Sequence, residues 1–295
     1  MFKAGWVSIV GNPNVGKSTL VNAFIGEKLS IVTHKPQTTR RLITAIANGS
    51  GYQIVFSDTP GVIKPHYKMQ EAMMKFVGEA FEDADLILLL TDVTESEIQP
   101  GLISRLKKTK IPVIAALNKI DLENQETVTK KIAELETLLN PKEIIPISAL
   151  HGFGVEALKR IILNYLPEGE PYFDTEQLSN LSERFFAAEI LREQIMLHYK
   201  QEIPYSVEVV IEEFKESPEF SKKDIIHIRA VIYVNRQSQK GILIGKGGIA
   251  LKRTATEARK NLEKWLDNKV FLEVFVKVKK DWREDERQLK NFGYL

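Results

Sequence analysis

Apolar positions along this 295-residue chain follow two rhythms. Up to about residue 167, short unbroken apolar runs alternate with stretches where apolar residues recur every three to four positions. The first pattern predicts strands buried on both faces, and the second predicts helices. Strands are predicted over 6–10, 42–48, 52–57, 86–90, 113–117 and 144–147. Helices are predicted over 19–25, 69–81, 98–108, 128–139 and 155–166. Gly49-Ser50-Gly51 turns the second strand back on the third as a hairpin. The expected fold is α/β, a doubly wound and mostly parallel sheet with helices on both faces and one antiparallel strand. Pro167-Glu168-Gly169-Glu170-Pro171 then interrupts the pattern, and the order of elements changes. A helix over 185–199, strands over 206–213 and 226–234, a short segment over 240–244, a helix over 251–267 and a strand over 270–278 predict α-β-β-α-α-β. That order is an α+β domain. The chain reads as one domain over 1–167, a linker over 168–180 and a second domain over 181–295.

Bulk composition narrows this by exclusion. Hydrophobic residues at 43% and charged residues at 27% are those of an ordinary globular protein. With no cysteine there is no disulfide and no thiolate metal site, which fits a reducing cytoplasm. The first strand starts within a few residues of Met1, so no signal peptide is expected. No apolar run approaches the ~20 residues of a membrane span. A soluble cytoplasmic protein is expected. The five histidines show no metal-ligand spacing. A net charge of +2 says little, but its distribution says more. Residues 1–172 are neutral overall, with 19 basic and 19 acidic side chains. Within 240–280 stand 11 basic side chains against four acidic ones, around Gly245-Lys246-Gly247-Gly248. Such a patch is the electrostatic footprint of nucleic-acid binding.

Candidate chemistry begins between the first strand and the first helix. Gly11-Asn12-Pro13-Asn14-Val15-Gly16-Lys17-Ser18, followed by Thr19, spells G-x-x-x-x-G-K-[ST] in the strand–loop–helix context a phosphate loop needs. Its backbone N–H groups close around a phosphate, and the helix N-terminus adds the positive end of its dipole. Lys17 then reaches the β- and γ-phosphates, and the Ser18 hydroxyl binds Mg²⁺. Asp58-Thr59-Pro60-Gly61, followed by Val62, comes at another strand end. Asp58 is placed to hold Mg²⁺ through water, and the Gly61 N–H to bond the γ-phosphate and register its loss. Asn118-Lys119-Ile120-Asp121 follows a third strand. A carboxylate accepts two adjacent hydrogen bonds; guanine offers that pair at N1–H and the 2-amino group, and adenine does not. Asp121 thus selects GTP over ATP, with the Lys119 stem along the base and Asn118 tying this loop to the phosphate loop. Ser148-Ala149-Leu150, after a fourth strand, offers a backbone N–H to guanine O6. The expected ligands are GTP or GDP with Mg²⁺.

These four boxes, in this order, resemble the Ras-like translation-factor class of GTPases. The resemblance implies that a threonine within 35–40 meets Mg²⁺ and the γ-phosphate, Thr39 by the Thr-Arg pattern, with Thr38 the alternative. Lys17, Thr39 and Gly61 are then the expected catalytic groups, and Ser18, Thr39 and Asp58 the expected Mg²⁺ shell. Val62 stands where Ras-like enzymes carry the glutamine that orients water, so water must be positioned in another way. Asn14 matches the asparagine with which related GTPases hold K⁺ against the phosphates; the alternative is that it only caps the loop.

In the second half, a G-x-x-G turn between two helices of an α-β-β-α-α-β domain is the pattern of a type II KH module. There the loop clamps the backbone of about four nucleotides. Gly245, Lys246, Gly247 and Gly248 form the clamp, Ile244 and Ile249 the apolar floor, and Lys252 and Arg253 continue the basic surface. The alternative is a solvated amphipathic helix with outward lysines. Both halves together resemble a family of bacterial Ras-like GTPases with a C-terminal KH domain, over essentially the whole chain. The match also rests on Pro204-Tyr205-Ser206-Val207, Glu257-Ala258-Arg259-Lys260, Trp282, Asp285-Glu286-Arg287 and Gly293-Tyr294. It implies a slow GTP-operated switch in small-subunit ribosome assembly. It also implies binding to 16S ribosomal RNA near its 3′ end, on the 30S subunit, and a loose peripheral association with the inner membrane. A monomer is expected. Rival readings are a GTPase coupled to tRNA modification and one whose basic patch meets a membrane surface.

Overall fold

The computed structural model describes residues 1–95, 97–217 and 225–295. The chain divides into two compact units, Met1–His66 with Gln70–Asn180, and Tyr67–Met69 with Leu181–Leu295.

The first unit carries β1 (Lys3–Val10), α1 (Lys17–Ile25), β2 (Ile43–Gly49), β3 (Tyr52–Asp58), α2 (Lys68–Glu82), β4 (Leu86–Asp92), α3 (Pro100–Lys108), β5 (Val113–Asn118), α4 (Gln125–Leu139), β6 (Ile144–Pro146) and α5 (Val155–Tyr165). Its six strands lie in the order β2-β3-β1-β4-β5-β6, all parallel except β2, which pairs antiparallel with β3 through the glycine turn. β4 shows why its run is unbroken. Leu86, Leu88 and Leu90 pack with Leu20 and Val21 of α1 and Leu158 and Ile162 of α5. Ile87 and Leu89 point the other way, among Val77 and Phe81 of α2, Leu102 and Leu106 of α3 and Leu135 of α4. A strand covered on both faces has no polar side to alternate with. The strand order reverses at β1, and β1, β3 and β5 all deliver their loops at the carboxyl edge of the sheet, where ligands bind in such folds.

The stretch 168–180, which its composition marks as a linker, is bonded along this unit. Lys3 and Glu168 form an antiparallel bridge. The edge strand β2 presents Ile46 N–H outward, and it donates to the Leu178 carbonyl at 2.8 Å. Gln53 is fully buried, and its Oε1 accepts from Tyr172 N–H at 2.7 Å and Phe173 N–H at 3.0 Å, while its Nε2 donates to the Phe173 carbonyl at 2.9 Å. The segment covers an open sheet edge. Proline and glycine signal irregular backbone, but irregular backbone can still be fully bonded.

The second unit adds α6 (Glu183–His198), α7 (Ile203–Ser206), β7 (Glu208–Ser217), β8 (Ile225–Val234), α8 (Gln237–Ile244), α9 (Ile249–Leu266), β9 (Lys269–Val278) and α10 (Glu286–Asn291). Its sheet runs β7-β8-β9, antiparallel then parallel. A parallel pair needs a crossover, and α8 and α9 supply it. Leu191 and Ile195 of α6, Leu243 of α8 and Ala258 and Leu262 of α9 cover Ile228, Ala230 and Ile232 of β8. The short α7 and α10 escape periodicity because neither completes two turns. The tail that carries α10 is anchored by Trp282, whose Nε1 donates to the Ser206 carbonyl at 3.1 Å, and by the Tyr294 hydroxyl, which donates to Glu208 at 2.8 Å. Among the described residues no helix is long and apolar enough to cross a membrane.

Candidate functional site

At the carboxyl edge of the six-stranded sheet lies a cavity of about 410 Å³, lined among others by Lys17, Ser18, Thr39, Gly61, Asn118 and Asp121. Residues from all four sequence boxes and from the 33–39 loop meet there. The helix α1 starts directly from the phosphate loop, with Gly16 as its N-cap at φ 99°. Lys17 is buried at the foot of that loop, and its Nζ donates to the Gly11 carbonyl at 3.1 Å and the Asn12 carbonyl at 2.8 Å. Burial pushes its pKa down to about 8, against the opposing pull of Asp58 and Glu95.

Three hydroxyl and carboxylate groups converge beside Lys17. The Ser18 hydroxyl donates to Asp58 Oδ2 at 2.8 Å and lies 2.9 Å from the Thr39 hydroxyl. Asp58 Oδ1 is buried with no hydrogen-bond partner among the described residues. Burial raises the Asp58 pKa, and the Ser18 hydrogen bond and the Lys17 charge work against it. An unpartnered buried carboxylate oxygen beside two hydroxyls is a hard-oxygen set, and it fits Mg²⁺ held mainly by one carboxylate and the nucleotide's own phosphates. The neighbouring Thr38 is engaged elsewhere: its hydroxyl donates to the Lys35 carbonyl at 2.7 Å.

On the other side of the cavity, Asn118 bridges two loops. Its Nδ2 donates to the Val15 carbonyl at 2.8 Å, and its Oδ1 accepts from Ala149 N–H at 2.9 Å. Ser148 N–H is also used within the protein, donating to the Phe153 carbonyl at 3.0 Å. Asp121 faces the cavity. Ser148 foremost, and then its own N–H, His151 and Lys119, hold its carboxyl below the usual range, so it stays an anionic acceptor.

Several expected residues lie in the right loop with side chains turned away. Asn12 Nδ2 donates to the Glu97 carbonyl at 2.8 Å, behind the loop. The Thr59 hydroxyl donates to the Ile9 carbonyl at 2.7 Å and braces β3 on β1. Val15 and Pro60 are buried, and Val62 packs with the core between the sheet and α2, α3 and α4. These residues offer the site backbone only. Asn14, at φ 66°, places its side-chain amide 3.1 Å from the His34 carbonyl. Sequence reasoning missed Asp92, whose Oδ2 meets Lys119 Nζ at 2.6 Å. The one available signal was a carboxylate closing β4 two residues after its apolar run over 86–90.

The second candidate site is the turn between α8 and α9. Gly245, Gly247 and Gly248 all have positive φ, at 73°, 59° and 78°. A Cβ on Gly245 would fall 2.7 Å from Ala250 Cβ, whereas one on Gly247 or Gly248 would meet nothing within 4 Å. Lys246, Lys252 and Arg253 are exposed, Ile244 is half-buried and Ile249 is 72% exposed. Beneath the turn, the buried Tyr199 hydroxyl donates to the Leu243 carbonyl at 2.7 Å, satisfying one of the open carbonyls at the end of α8.

A phosphate loop, a guanine-selecting loop and a glycine turn on a β-β-α-α-β sheet define the class: a P-loop GTPase joined to a KH domain. Residues 6–119 match the family described as 50S ribosome-binding GTPase, and residues 202–283 match the KH domain. The chain belongs to the GTPase Era family. It is 44% identical over 297 residues to GTPase Era of Syntrophus aciditrophicus (strain SB), covering 100% of this chain and 96% of that protein. A crystal structure of Era with MgGDPNP and nucleotides 1506–1542 of 16S ribosomal RNA is 39% identical and matches with a TM-score of 0.94 over 100% of this chain and 99% of that one. A variant of Aquifex aeolicus Era bound to GDP and AlF4⁻ is 38% identical, with a TM-score of 0.93 over 99% of both chains.

Proposed function

We propose that this GTPase is a switch on small-subunit ribosomal RNA, with the phosphate-loop site reading GTP and the KH domain holding a single-stranded segment near the 3′ end of 16S RNA. The observation that carries the reading is one chain with a converged Ser18–Thr39–Asp58 cluster and a bare glycine turn. The description of the nucleotide-binding family names the large subunit, but that match stops at residue 119, short of the KH domain. The RNA in the complex of the similar Era comes from the small subunit. Assistance to 30S assembly follows as the role.

In this reading Asp121 accepts from guanine N1–H and the 2-amino group, and Asn118 keeps that loop in register with the phosphate loop. The 148–150 turn faces O6. Lys17 leaves the Gly11 and Asn12 carbonyls for the β- and γ-phosphates. Ser18, Thr39 and Asp58 hold Mg²⁺, which neutralises charge developing on the phosphates. Thr39 and Gly61 both depend on the γ-phosphate, so its loss releases the 33–39 and 59–62 loops together. Val62 has no polar atom and lies against the core, so hydrolysis draws its extra positive charge from elsewhere. Asn14, whose Nδ2 donates to the His34 carbonyl here, is the residue that would meet K⁺ at the phosphates.

The test is base exchange. Asp121→Asn should lose GTP affinity and gain XTP affinity, because xanthine carries an acceptor at C2 where guanine carries a donor. Undiminished GTP binding would sink the assignment of Asp121. Hydrolysis by the parent should be faster in K⁺ than in Na⁺ at equal ionic strength, and Asn14→Ala should erase the difference. Equal rates in both salts would return Asn14 to a purely structural role.

A further inference from the structure

Lys119 is held at both ends. Its backbone has φ 59°, a conformation few side-chain-bearing residues adopt, and its carbonyl accepts from Leu122 N–H at 3.0 Å. At the other end its ammonium meets Asp92 Oδ2 at 2.6 Å. Between these anchors the stem lines the nucleotide cavity beside Asp121 and Leu150. Asp92 cannot follow if the lysine swings. It is 5% exposed, and its Oδ1 accepts from both the Thr94 N–H at 2.8 Å and the Thr94 hydroxyl at 2.6 Å. Val93 N–H donates to the Asn118 carbonyl at 3.1 Å, which locks the ends of β4 and β5 together. Ion pairs between two mobile surface side chains contribute little. Here one partner is buried and fixed while the Lys119 side chain is about one-third exposed, so the pair positions the lysine more than it stabilises the fold.

We propose that Asp92 is a positioning residue for nucleotide binding. By holding the ammonium on a fixed carboxylate it draws the Lys119 stem across the space the base occupies. The inference rests on the assignment of that space to guanine. A free lysine stem samples many rotamers, and ordering it opposes binding. A stem ordered before the nucleotide arrives removes that cost. Asp92 therefore acts on how long the nucleotide stays, and the choice of base remains with Asp121.

The test is a double-mutant cycle on the full chain, reading GDP affinity and release. Asp92→Ala should weaken GDP binding about tenfold, almost all of it as faster release, since related complexes differ mainly in that rate. The ratio of GTP to ITP affinity should not change, because inosine differs only in the 2-amino group that Asp121 reads. Asp92→Asn, which retains an acceptor for Thr94, should lose severalfold and serves if the alanine variant folds poorly. In a Lys119→Ala background, Asp92→Ala should cost nothing further. An equal loss in both backgrounds would overturn the proposal and assign Asp92 to the Thr94 loop alone. Unchanged GDP affinity in Asp92→Ala would overturn it too. A failure of the guanine assignment would appear separately, as undiminished GTP binding by Asp121→Asn.

Discussion

The phosphate loop and the G-x-x-G turn are both glycine loops that lead into a helix, but one is walled and the other bare. A Cβ on Gly16 would fall 2.3 Å from Asn118 Nδ2, an atom already fixed by the Val15 carbonyl. A Cβ on Gly247 would enter open space. Both glycines have positive φ, at 99° and 59°. The first is therefore glycine for the sake of the protein's own packing, and the second for the sake of whatever lies against it. Around the first, side chains are tied to one another across four loops, so the site is shaped before the nucleotide arrives. Around the second, backbone, exposed cations and the exposed Ile249 face outward.

This contrast is sharpest when each glycine is replaced. Gly16→Ala should weaken GDP binding by more than about a hundredfold. Strain at that φ costs about 1–3 kcal/mol, and displacing Asn118 from its bridge costs about as much again. Isothermal titration with GDP measures it, and a loss under tenfold would mean the Asn118 bridge yields freely. Gly247→Asp should weaken binding to a 16S 3′-end oligonucleotide about a hundredfold, by blocking the path of the sugar–phosphate chain and facing it with a like charge. GDP affinity should not change. RNA binding equal to the parent would make the G-x-x-G turn only a turn.

A smaller effect separates the buried cation of the first loop from the solvated ones of the second. With the free Lys17 ammonium at a pKa of about 8, it is charged before and after binding below that pH, and affinity is flat. Phosphate favours the charged form, so above pH 8 binding must take up a proton and affinity falls as pH rises. Between pH 7 and 9 the GDP affinity should drop about tenfold, and Lys17→Met should abolish the slope. A parent curve flat to pH 9 would show that Lys17 is not desolvated. Folding has its own sign. Because burial lowers the pKa from 10.5, the ligand-free protein gains stability as pH rises from about 8 towards 10.5, where the unfolded chain still binds the proton.

Much of the fold was legible because it is written in local terms. The two-sided burial of β4 appears as an unbroken apolar run, and the hairpin as Gly49-Ser50-Gly51. The nucleotide site was legible because its residues cluster in short motifs that follow strand ends. What periodicity could not show was which way each motif residue turns its side chain. Asn12 and Thr59 stand inside their boxes yet brace neighbouring elements. Val62 was expected to leave a gap in the water-positioning machinery, and its packing against the core gives that gap a structural cause.

Sequence alone therefore determined the order of the longer elements, the four nucleotide boxes and the position of the glycine turn, since each depends on neighbours within one or two turns of chain. Tertiary structure alone decided the Asp92–Lys119 pair, the Asn118 bridge, the Tyr199 hydroxyl beneath the glycine turn and the bonding of 168–180 along the sheet edge. Each of these joins residues far apart in sequence through one or a few polar contacts. A lone polar residue leaves no periodic trace, and only the packed sheet determines which partner it meets.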